Sequence, residues 1–374
     1  MILKTKDFKE AANKILLAND SDKNINCLEL VVKKNNLYLN VTNREFYVSV
    51  KFPLGQPAEF HAVINADLFL KIVASLSSEE FELAIVDNYV LIKTGTLEYK
   101  FPMIYQNESL MELPVITLNN KTVEMSIKLD DLQSILNVNS KELLKAKNID
   151  VNELQKLYYI DDNGCFTFTT GACLNSFKLE KPVKMLLNDR IVKLFRLFKT
   201  DVSFELAQDT REDNSIATKI SMTTPEVYLA AYITNDEKLI DRIQGPCNAA
   251  KNYIAEHYDY SIVLSVKELS AAIGRLMIFT KQNNTTGNNS FLPIDAVINN
   301  QRIKLSDKFG NTESVKIENT TGFTSDYEFS ANMFDLKLVL DSCKVDTITF
   351  NCGNHRSIII TRGPVTNLIP EIAR

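Results

Sequence analysis

A strand-helix-strand-strand pattern recurs at intervals of roughly 60 residues along the chain, and this repeat constrains the fold more than any other feature. Each copy, here called a half-unit, combines one amphipathic helix with strands of alternating polarity such as Leu37 to Val41. The apolar spacing predicts helices at 7–19, 66–76, 129–136, 188–199, 266–280 and 332–342. Helices that bury one face against antiparallel strands predict an α+β fold.

The six half-units group in pairs, which predicts three tandem domains. We place them at 1–118, 119–246 and 247–374. A chain of 374 residues is too long for one ordinary core, which agrees with several domains. Two segments are predicted to be linkers: 106–115, which contains Asn107, Glu108 and Pro114, and 241–259, which contains Gly245, Pro246 and several small polar residues.

The composition is that of an ordinary globular protein, with 45% hydrophobic and 24% charged residues. No apolar run reaches the roughly 20 residues that cross a bilayer, and the first residues lack a signal-peptide pattern. We therefore expect a cytoplasmic protein that does not bind a membrane. The net charge of −5 argues against attraction of the whole surface to nucleic acid, but it allows a basic stripe on one face.

The motifs indicate neither a metal, a cofactor nor catalysis. The six cysteines are scattered without zinc-ligand spacing, which predicts reduced and mostly buried thiols. The sequence has no Gly-rich phosphate loop, nucleophile elbow or His-Glu-x-x-His motif. His61, His257 and His355 lie far apart, and Asp161 to Gly164 is typical of a hairpin turn rather than a calcium loop. A hydrolase or metal enzyme is the main alternative, and we predict a protein that is not an enzyme.

One stretch carries a family resemblance. The run from Cys165 to Leu174, Cys-Phe-Thr-Phe-Thr-Thr-Gly-Ala-Cys-Leu, is followed by a strand, Asn188 and an amphipathic helix. It resembles the central Thr-Asp-Gly-His-Arg-Leu turn of the bacterial DNA polymerase III beta subunits, the beta sliding clamps. Further similar stretches follow the family order along the whole chain, at 37–43, 94–102, 239–246, 329–333 and 367–374.

The resemblance implies both an architecture and a function. Each subunit would have three clamp domains of two half-units, and two subunits would close head to tail into a ring with a helical inner wall. Such a ring would encircle duplex DNA without reading its sequence and would confer processivity on a replicative DNA polymerase. A clamp loader and other clamp-binding peptides would be further partners. A clamp-like scaffold that binds proteins without encircling DNA is the alternative.

A ring that slides must meet phosphates with cations that do not read bases. We predict these cations on the helices, at Lys6, Lys9, Lys14, Lys71, Lys141, Lys145, Arg190, Lys193, Arg196, Lys199, Lys267, Arg275 and Lys337. The predicted helix 188–199 carries four of them and no acidic residue after Asp189. For any single lysine, the alternative is the ordinary solvated face of an amphipathic helix.

The resemblance also implies an apolar groove for partner peptides between domains two and three. Carried over position by position, the groove consists of Leu154, Thr169, Gly171, Ala172, Cys173, Leu174, Pro246, Met333, Ser357, Ile369 and Pro370. Small and apolar side chains would form a cavity for a Leu or Phe of the partner. The sequence departs from the family at Thr170, where Asp is usual, at Ala172-Cys173 in place of His-Arg, and at Glu371 in place of Met. The alternative is that 169–174 is only a turn and strand of the core.

A seam between subunits is the last site that the resemblance implies. It would join Tyr99 and Phe101, on the last strand of domain one, to Ile278 and Phe279 at the end of the fifth helix. An apolar patch of this kind suits a stable dimer. Ordinary core packing is the alternative for Ile278 and Phe279.

Overall fold

The computed structural model describes residues 1–19, 26–137, 157–168, 172–210, 214–234, 237–283, 291–321, 325–354 and 356–373. Within them, helices α1 to α7 span Thr5–Ala18, Ala66–Ser75, Leu129–Asn137, Asp189–Leu194, Glu237–Ala255, Val266–Asn283 and Met333–Ser342. Strands β1 to β10 span Ile2–Lys4, Cys27–Lys33, Asn36–Thr42, Phe46–Pro53, His61–Asn65, Glu80–Val86, Tyr89–Thr94, Leu97–Pro102, Tyr105–Gln106 and Ser109–Leu110. Strands β11 to β18 span Lys121–Ile127, Leu157–Asp161, Gly164–Phe168, Ala172–Ser176, Met185–Asn188, Val202–Thr210, Ile216–Thr223 and Val227–Ile233. Strands β19 to β26 span Tyr260–Ser265, Pro293–Ile298, Arg302–Asp307, Thr312–Thr321, Tyr327–Asn332, Thr347–Cys352, Ser357–Arg362 and Val365–Pro370.

Two helices begin at N-cap residues. Asn65 Oδ1 accepts a hydrogen bond from the Leu68 N–H at 2.9 Å ahead of α2, and Asn332 Oδ1 accepts one from the Phe334 N–H at 3.2 Å ahead of α7. Each side chain satisfies a backbone donor that a helix start leaves without a partner. The bounds predicted at 66–76 and 332–342 are confirmed to within one residue.

The chain divides into two compact units, and the first comprises 1–132 and 190–234. It contains a four-stranded sheet in the order β1-β6-β7-β8 and an eight-stranded sheet in the order β11-β16-β17-β18-β4-β3-β2-β5. The longer sheet is continuous because β18 pairs antiparallel with β4. These antiparallel sheets, covered by helices, confirm the predicted α+β class.

An aromatic cluster forms the centre of the first unit. Phe8 of α1 is fully buried, and its ring centroid lies 5.5 Å from that of Phe52, 6.3 Å from that of Phe69 and 5.3 Å from that of Phe81. These edge-to-face contacts join α1 to α2, β4 and β6. Both sheets of the unit therefore share one layer of helices.

The second unit comprises 133–189 and 235–374. Its strands lie in the order β15-β12-β13-β14-β26-β25-β24-β19-β22-β21-β20-β23. Strand β14 pairs antiparallel with β26, just as β4 pairs with β18 in the first unit. In both pairs, the last strand of one half-unit meets the last strand of a half-unit that lies further along the chain.

The segment 241–259, which was predicted to be a linker, is mostly helical. Helix α5 covers most of it and carries Pro246 in its interior. The prediction was wrong because it treated Gly245 and Pro246 as the end of regular structure, whereas tertiary packing stabilises a helix beyond its propensity. The buried side chains recur with helical spacing, at Ile240, Ile243, Cys247 and Ala250.

The other predicted linker, 106–115, packs against the first unit. Strands β9 and β10 form a small hairpin, and Leu113 then joins a buried cluster with Cys27 and Val63. The Thr42 hydroxyl donates a hydrogen bond to the Pro114 carbonyl at 3.1 Å. This segment is therefore part of a core, which corrects the prediction.

The predicted helix 188–199 is shorter than expected. Helix α4 ends at Leu194, and a 3-10 turn follows at Phe195–Leu197. The predicted bounds of the three domains stay a prediction, because the residues of predicted domain two belong partly to the first unit and partly to the second.

All six cysteines are free thiols, and burial dominates their chemistry. Only Cys343 is partly exposed, whereas the other five are buried. Burial raises the pKa of Cys27 and of Cys165, and raises that of Cys247 to about 12. This agrees with the reduced, mostly buried thiols that the sequence predicts.

Candidate subunit seam, partner groove and DNA-binding residues

Two of the strands that end a half-unit, β8 and β22, have an edge without a partner among the described residues. Strand β8 is the outer strand of its sheet and pairs with β7 alone. In β22, residues Thr312 to Lys316 pair only with β21, whereas β19 pairs with the later part of the strand. Both edges carry charges of both signs: Glu98 and Lys100 on β8, Glu313 and Lys316 on β22. Unpaired N–H and C=O groups make such an edge a template for another strand.

An apolar patch lies at the start of β22. Ile278 and Phe279, near the end of α6, are 57% and 49% exposed, and Phe309 in the turn before β22 is 45% exposed. Asp307 connects α6 to the turn before β22. Its Oδ2 accepts a hydrogen bond from Thr280 Oγ1 at 3.1 Å, and its Oδ1 accepts one from the Phe309 N–H at 3.0 Å. Large apolar side chains grouped at a surface are typical of a protein-interaction site.

The exposure of Ile278 and Phe279 argues against the core alternative for these two residues. Sequence reasoning did not find Asp307 or Phe309. The available signal was a phenylalanine in the turn Lys308-Phe309-Gly310-Asn311, where a large apolar side chain has no apolar partner within the turn.

Phe101 is a core residue, and its assignment to the seam was wrong. It is 2% exposed, and its ring centroid lies 5.2 Å from that of Phe69. It pairs with the buried Val90, and residues paired across strands share a face of the sheet. A second subunit has no access to this side chain. Tyr99, which is half-buried on the same edge strand, stays a predicted seam residue.

The stability of the turn that carries Phe309 should depend on pH. Burial raises the pKa of Asp307, but hydrogen bonds from Asn311, Phe309 and Thr280 outweigh burial and hold the pKa below its usual value. Such a carboxylate stabilises the folded state above its unfolded pKa, and this contribution is lost as pH falls through the folded pKa. We therefore expect the turn to open only in acid, below about pH 4.

Amide hydrogen exchange measures this opening directly. Protection factors at Phe309 and Asn311 should persist from neutral pH down to about pH 4 and then fall. Asp307→Ala removes the acceptor of both N–H groups and should lose the same protection at neutral pH already. Protection that persists in acid would contradict a role for the Asp307 charge.

The predicted groove residues lie on two opposite faces of the sheet in the second unit. Successive strand residues alternate between faces, and paired residues share a face. The pairs Ala172↔Leu368 and Ser357↔Pro370 place four side chains on one face, together with Leu174. Leu154, Thr169 and Gly171 lie outside the described residues.

Three predicted groove residues belong to the opposite face or to the core. Cys173 and Ile369 alternate away from Ala172 and Pro370 and are each 2% exposed, and Met333 is 0% exposed. Ile369 and Met333 pack in the same buried cluster. The prediction was wrong for Cys173 and Ile369 because it carried over consecutive residues without separating the two faces of a strand, and for Met333 because this residue begins α7 inside the core.

Helix α5 covers the face that carries Leu174, which is only 8% exposed. The cluster comprises Ile240, Ile243 and Cys247 of the helix with Tyr159, Phe166, Leu174 and Leu186 of the sheet. After the helix, the Tyr258 hydroxyl lies 3.1 Å from Ser357 Oγ. Pro246 is exposed on α5 rather than placed in a linker. The chain therefore fills part of its own predicted groove.

Some predicted DNA-contacting cations are exposed and form no ion pair with another described residue. They are Lys6, Lys71, Arg196, Lys199 and Lys267. The first four belong to the first unit. Lys141 and Lys145 lie outside the described residues.

Other predicted cations already have acidic partners. These pairs are Lys14 with Glu226, Arg190 with Glu45, Arg275 with Glu313 and Lys337 with Asp341. Arg275 is the clearest case, because its Nε and Nη2 donate to Glu313 at 2.6 and 2.9 Å, and this raises the pKa of its guanidinium. Lys9 Nζ donates to the Leu76 carbonyl at 2.5 Å, and Lys193 is half-buried. On α4 and the turn after it, only Arg196 stands exposed, with Lys199 just beyond.

Among the described residues, no group of three or more His, Cys, Asp or Glu side chains is placed to hold a metal ion. His61 Nε2 lies 2.9 Å from Glu29 Oε1, and His257 Nε2 lies 3.5 Å from Asp259 Oδ1. His355 lies outside the described part of the chain. No described helix combines the length and the apolar character that crossing a membrane requires.

The sequence matches no protein-family description and no curated protein. Solved structures do match. The DNA polymerase III beta subunit of Thermotoga maritima is 16% identical at a TM-score of 0.72, over 100% of this chain and 99% of that chain. A Helicobacter pylori beta clamp bound to a DNA ligase peptide is 15% identical at a TM-score of 0.68, with the same coverage. A Pseudomonas aeruginosa sliding clamp bound to griselimycin is 13% identical at a TM-score of 0.75, also over 100% and 99%.

These matches include every half-unit, although few residues are identical. Apolar periodicity and strand pairing, rather than residue identity, preserve such a fold. The chain therefore has the fold of the bacterial DNA polymerase III beta subunits.

Proposed function

We propose that this protein is a DNA sliding clamp, of which two copies close head to tail around duplex DNA and tether a replicative polymerase. The observation that carries the proposal is the match over the full length of both chains. A protein that shared only one clamp domain would match part of such a neighbour. The role is that of a tether in the cytoplasm, and it includes no catalytic step.

Strand pairing within the chain supports a closed dimer. Strand β4 ends the first half-unit of predicted domain one and pairs with β18, which ends the second half-unit of predicted domain two. In the same way, β14 of predicted domain two pairs with β26 of predicted domain three. The same rule applied once more pairs β22 with β8. Among the six strands that end a half-unit, these are the two whose outer edge, in β22 that of Thr312 to Lys316, has no partner among the described residues. Two copies thus complete two equal junctions and leave neither of these two strands with an open edge.

The chemistry of these edges suits the junction. Ile278, Phe279 and Phe309 supply an apolar patch beside β22. Each edge carries one acidic and one basic residue in its unpaired stretch, so an antiparallel register can place one pair of opposite charges face to face, Glu98 with Lys316 or Lys100 with Glu313. Tyr99 of the second copy stays the predicted contact on the β8 side.

In this proposal, the exposed cations contact DNA: Lys6, Lys71, Arg196, Lys199 and Lys267. They meet phosphates without reading bases, which lets a ring move along any sequence. The neighbours bound to a DNA ligase peptide and to griselimycin support a partner groove in this protein too. A clamp loader and the polymerase are the further partners of this proposal.

Solution mass and topological retention on DNA test the function. Light scattering at micromolar concentration should give twice the chain mass of 42.4 kDa. After treatment with a clamp loader, the protein should stay on nicked circular DNA and leave linearised DNA by its ends. A monomer with equal retention on circular and linear DNA would instead support the second candidate function, a protein-binding scaffold.

Arg196→Ala with Lys199→Ala should weaken the electrostatic part of DNA retention. Each lost phosphate contact lowers the slope of log affinity against log salt by about 1, so the double variant should lower it by about 2. The measurement is the equilibrium affinity for linear duplex DNA across a salt series.

Lys33→Ala with Lys34→Ala is the matched control. It removes the same charge from the exposed end of β2 and the turn that follows, in the same unit. The control should leave the slope unchanged. Equal slopes for the two double variants would remove Arg196 and Lys199 from the DNA interface.

A further inference from the structure

We propose that α5 is an internal competitor for partner peptides: it occupies part of the partner face of the sheet, and it must leave that face before a peptide binds. The inference rests on the proposed clamp function, because that function defines the partner face. It adds a regulation that the resemblance does not imply.

The first argument is the way in which α5 fills the face. Ile243 is 0% exposed and Cys247 is 2% exposed, and both pack in one buried cluster with Leu174. Leu174 is a predicted groove residue, and in this chain α5 contacts it in place of a partner peptide. Apolar side chains on successive helical turns thus take the place of the apolar anchors of a peptide.

The second argument concerns the polar contacts that hold α5, the cover of the partner face, at the edge of that face. Lys251 Nζ lies 3.4 Å from Asp161 Oδ2 and 4.8 Å from the centroid of the Phe166 ring. Beyond the helix, Glu256 Oε2 accepts a hydrogen bond from Asn354 Nδ2 at 3.1 Å. The Lys251 and Glu256 side chains are about one-third exposed, so water replaces these contacts at little cost when the helix leaves.

The third argument is a weak point in the middle of the helix. Gly245 and Pro246 lie between the turn that carries Ile243 and the turn that carries Cys247. Proline lacks the N–H that the helix interior needs, and glycine is the next least favourable residue in a helix. Helix α5 therefore depends on packing against the sheet, and a released α5 loses its helical structure. An element that is ordered only while it covers the site has two states that a ligand can select between.

Two variants shift this equilibrium in opposite directions. Gly245→Ala favours the helix, and an added Cβ at Gly245 meets nothing within 4 Å. It should weaken peptide binding about fivefold, because the covered state gains stability. Ile243→Ala removes a buried side chain from the cover and should strengthen peptide binding by at least about tenfold.

The binding assay is fluorescence polarisation of the labelled DNA ligase peptide, with griselimycin as the competing ligand. The matched control is Gly274→Ala in α6, where an added Cβ meets only the flexible end of Lys337 at 3.6 Å. It strengthens a helix that is not part of the cover, and it should leave peptide affinity unchanged. Amide exchange of α5 should rise in the wild type when the peptide is added.

Each outcome decides the proposal. Weaker binding by Gly245→Ala and tighter binding by Ile243→Ala support it. Equal affinity for all variants, or peptide binding by none of them, overturns it. If Ile243→Ala fails to fold, Lys251→Ala replaces it, with an expected gain of about twofold. Retention on circular DNA is measured in parallel, so a failure of the clamp function is distinguished from a failure of the cover.

Discussion

Ile278→Asp combined with Phe279→Asp is expected to be a folded monomer that no longer stays on circular DNA. Both side chains are about half exposed in one chain, so the substitutions leave the core intact. In the proposed dimer they become buried, and two unpaired carboxylates there cost several kcal/mol. We expect the dimer dissociation constant to rise roughly a thousandfold. Sedimentation equilibrium measures the mass, and circular dichroism measures the retained fold.

Ile216→Asp is the control for this variant. Ile216 is 66% exposed on β17, so the substitution introduces one carboxylate, rather than two, at a surface outside the proposed seam. It should leave the mass and the DNA retention unchanged. If the double variant remained a dimer, the seam would have to lie elsewhere, and the pairing of β8 with β22 would be wrong.

Lys219→Met is expected to lower the free energy of unfolding by about 3 kcal/mol. Lys219 Nζ donates to Asp209 Oδ2 at 2.7 Å and to the Thr117 carbonyl at 2.8 Å, and both side chains of the ion pair are nearly buried. Asp209 Oδ1 in turn accepts a hydrogen bond from the Asn120 N–H at 3.1 Å. The variant leaves a buried carboxylate without its cation and releases the segment 117–120.

Urea unfolding measures the loss, and Lys121→Met is the control. Lys121 Nζ lies 2.6 Å from Glu205 Oε1 on the same sheet, but its side chain is 39% exposed. Exposed ion pairs contribute little, so this control should change stability only slightly. The hydrogen bond from Lys219 also holds the pKa of Asp209 below its usual value. The contribution of the pair is therefore present at neutral pH and is lost in acid, as pH falls through the lowered pKa. A similar loss for Lys219→Met and Lys121→Met would contradict the special role of the buried pair.

Much of the fold could be predicted because its elements obey local rules. The spacing of Phe8, Ala11, Ala12 and Ile15 predicts α1, and all four side chains are buried. Asn65 is an effective N-cap wherever its helix lies, since capping involves only neighbouring residues. The repeat then indicated how these elements combine, and the solved structures bear out that fold.

The sites depend on contacts between distant residues, and those were harder to predict. Whether a residue is open to a partner depends on what covers it, as Leu174 under α5 shows. Helix α5 itself conflicts with local propensity at Gly245 and Pro246, and only its packing explains it. Ion pairs such as Arg275 with Glu313 join residues that the sequence separates widely, so a list of helix lysines and arginines overstated the number of unpaired cations.

The distribution of the thiols allows the unmodified chain to be labelled at one cysteine. Maleimides and iodoacetamides react with exposed thiolates, whereas five of the six cysteines are buried and only Cys343, at the end of α7, is partly exposed. The raised pKa of Cys165 and Cys247 slows any reaction there further. One fluorophore per subunit can thus be attached without engineering a cysteine-free background. Energy transfer between donor-labelled and acceptor-labelled chains would then follow the assembly and exchange of subunits in real time.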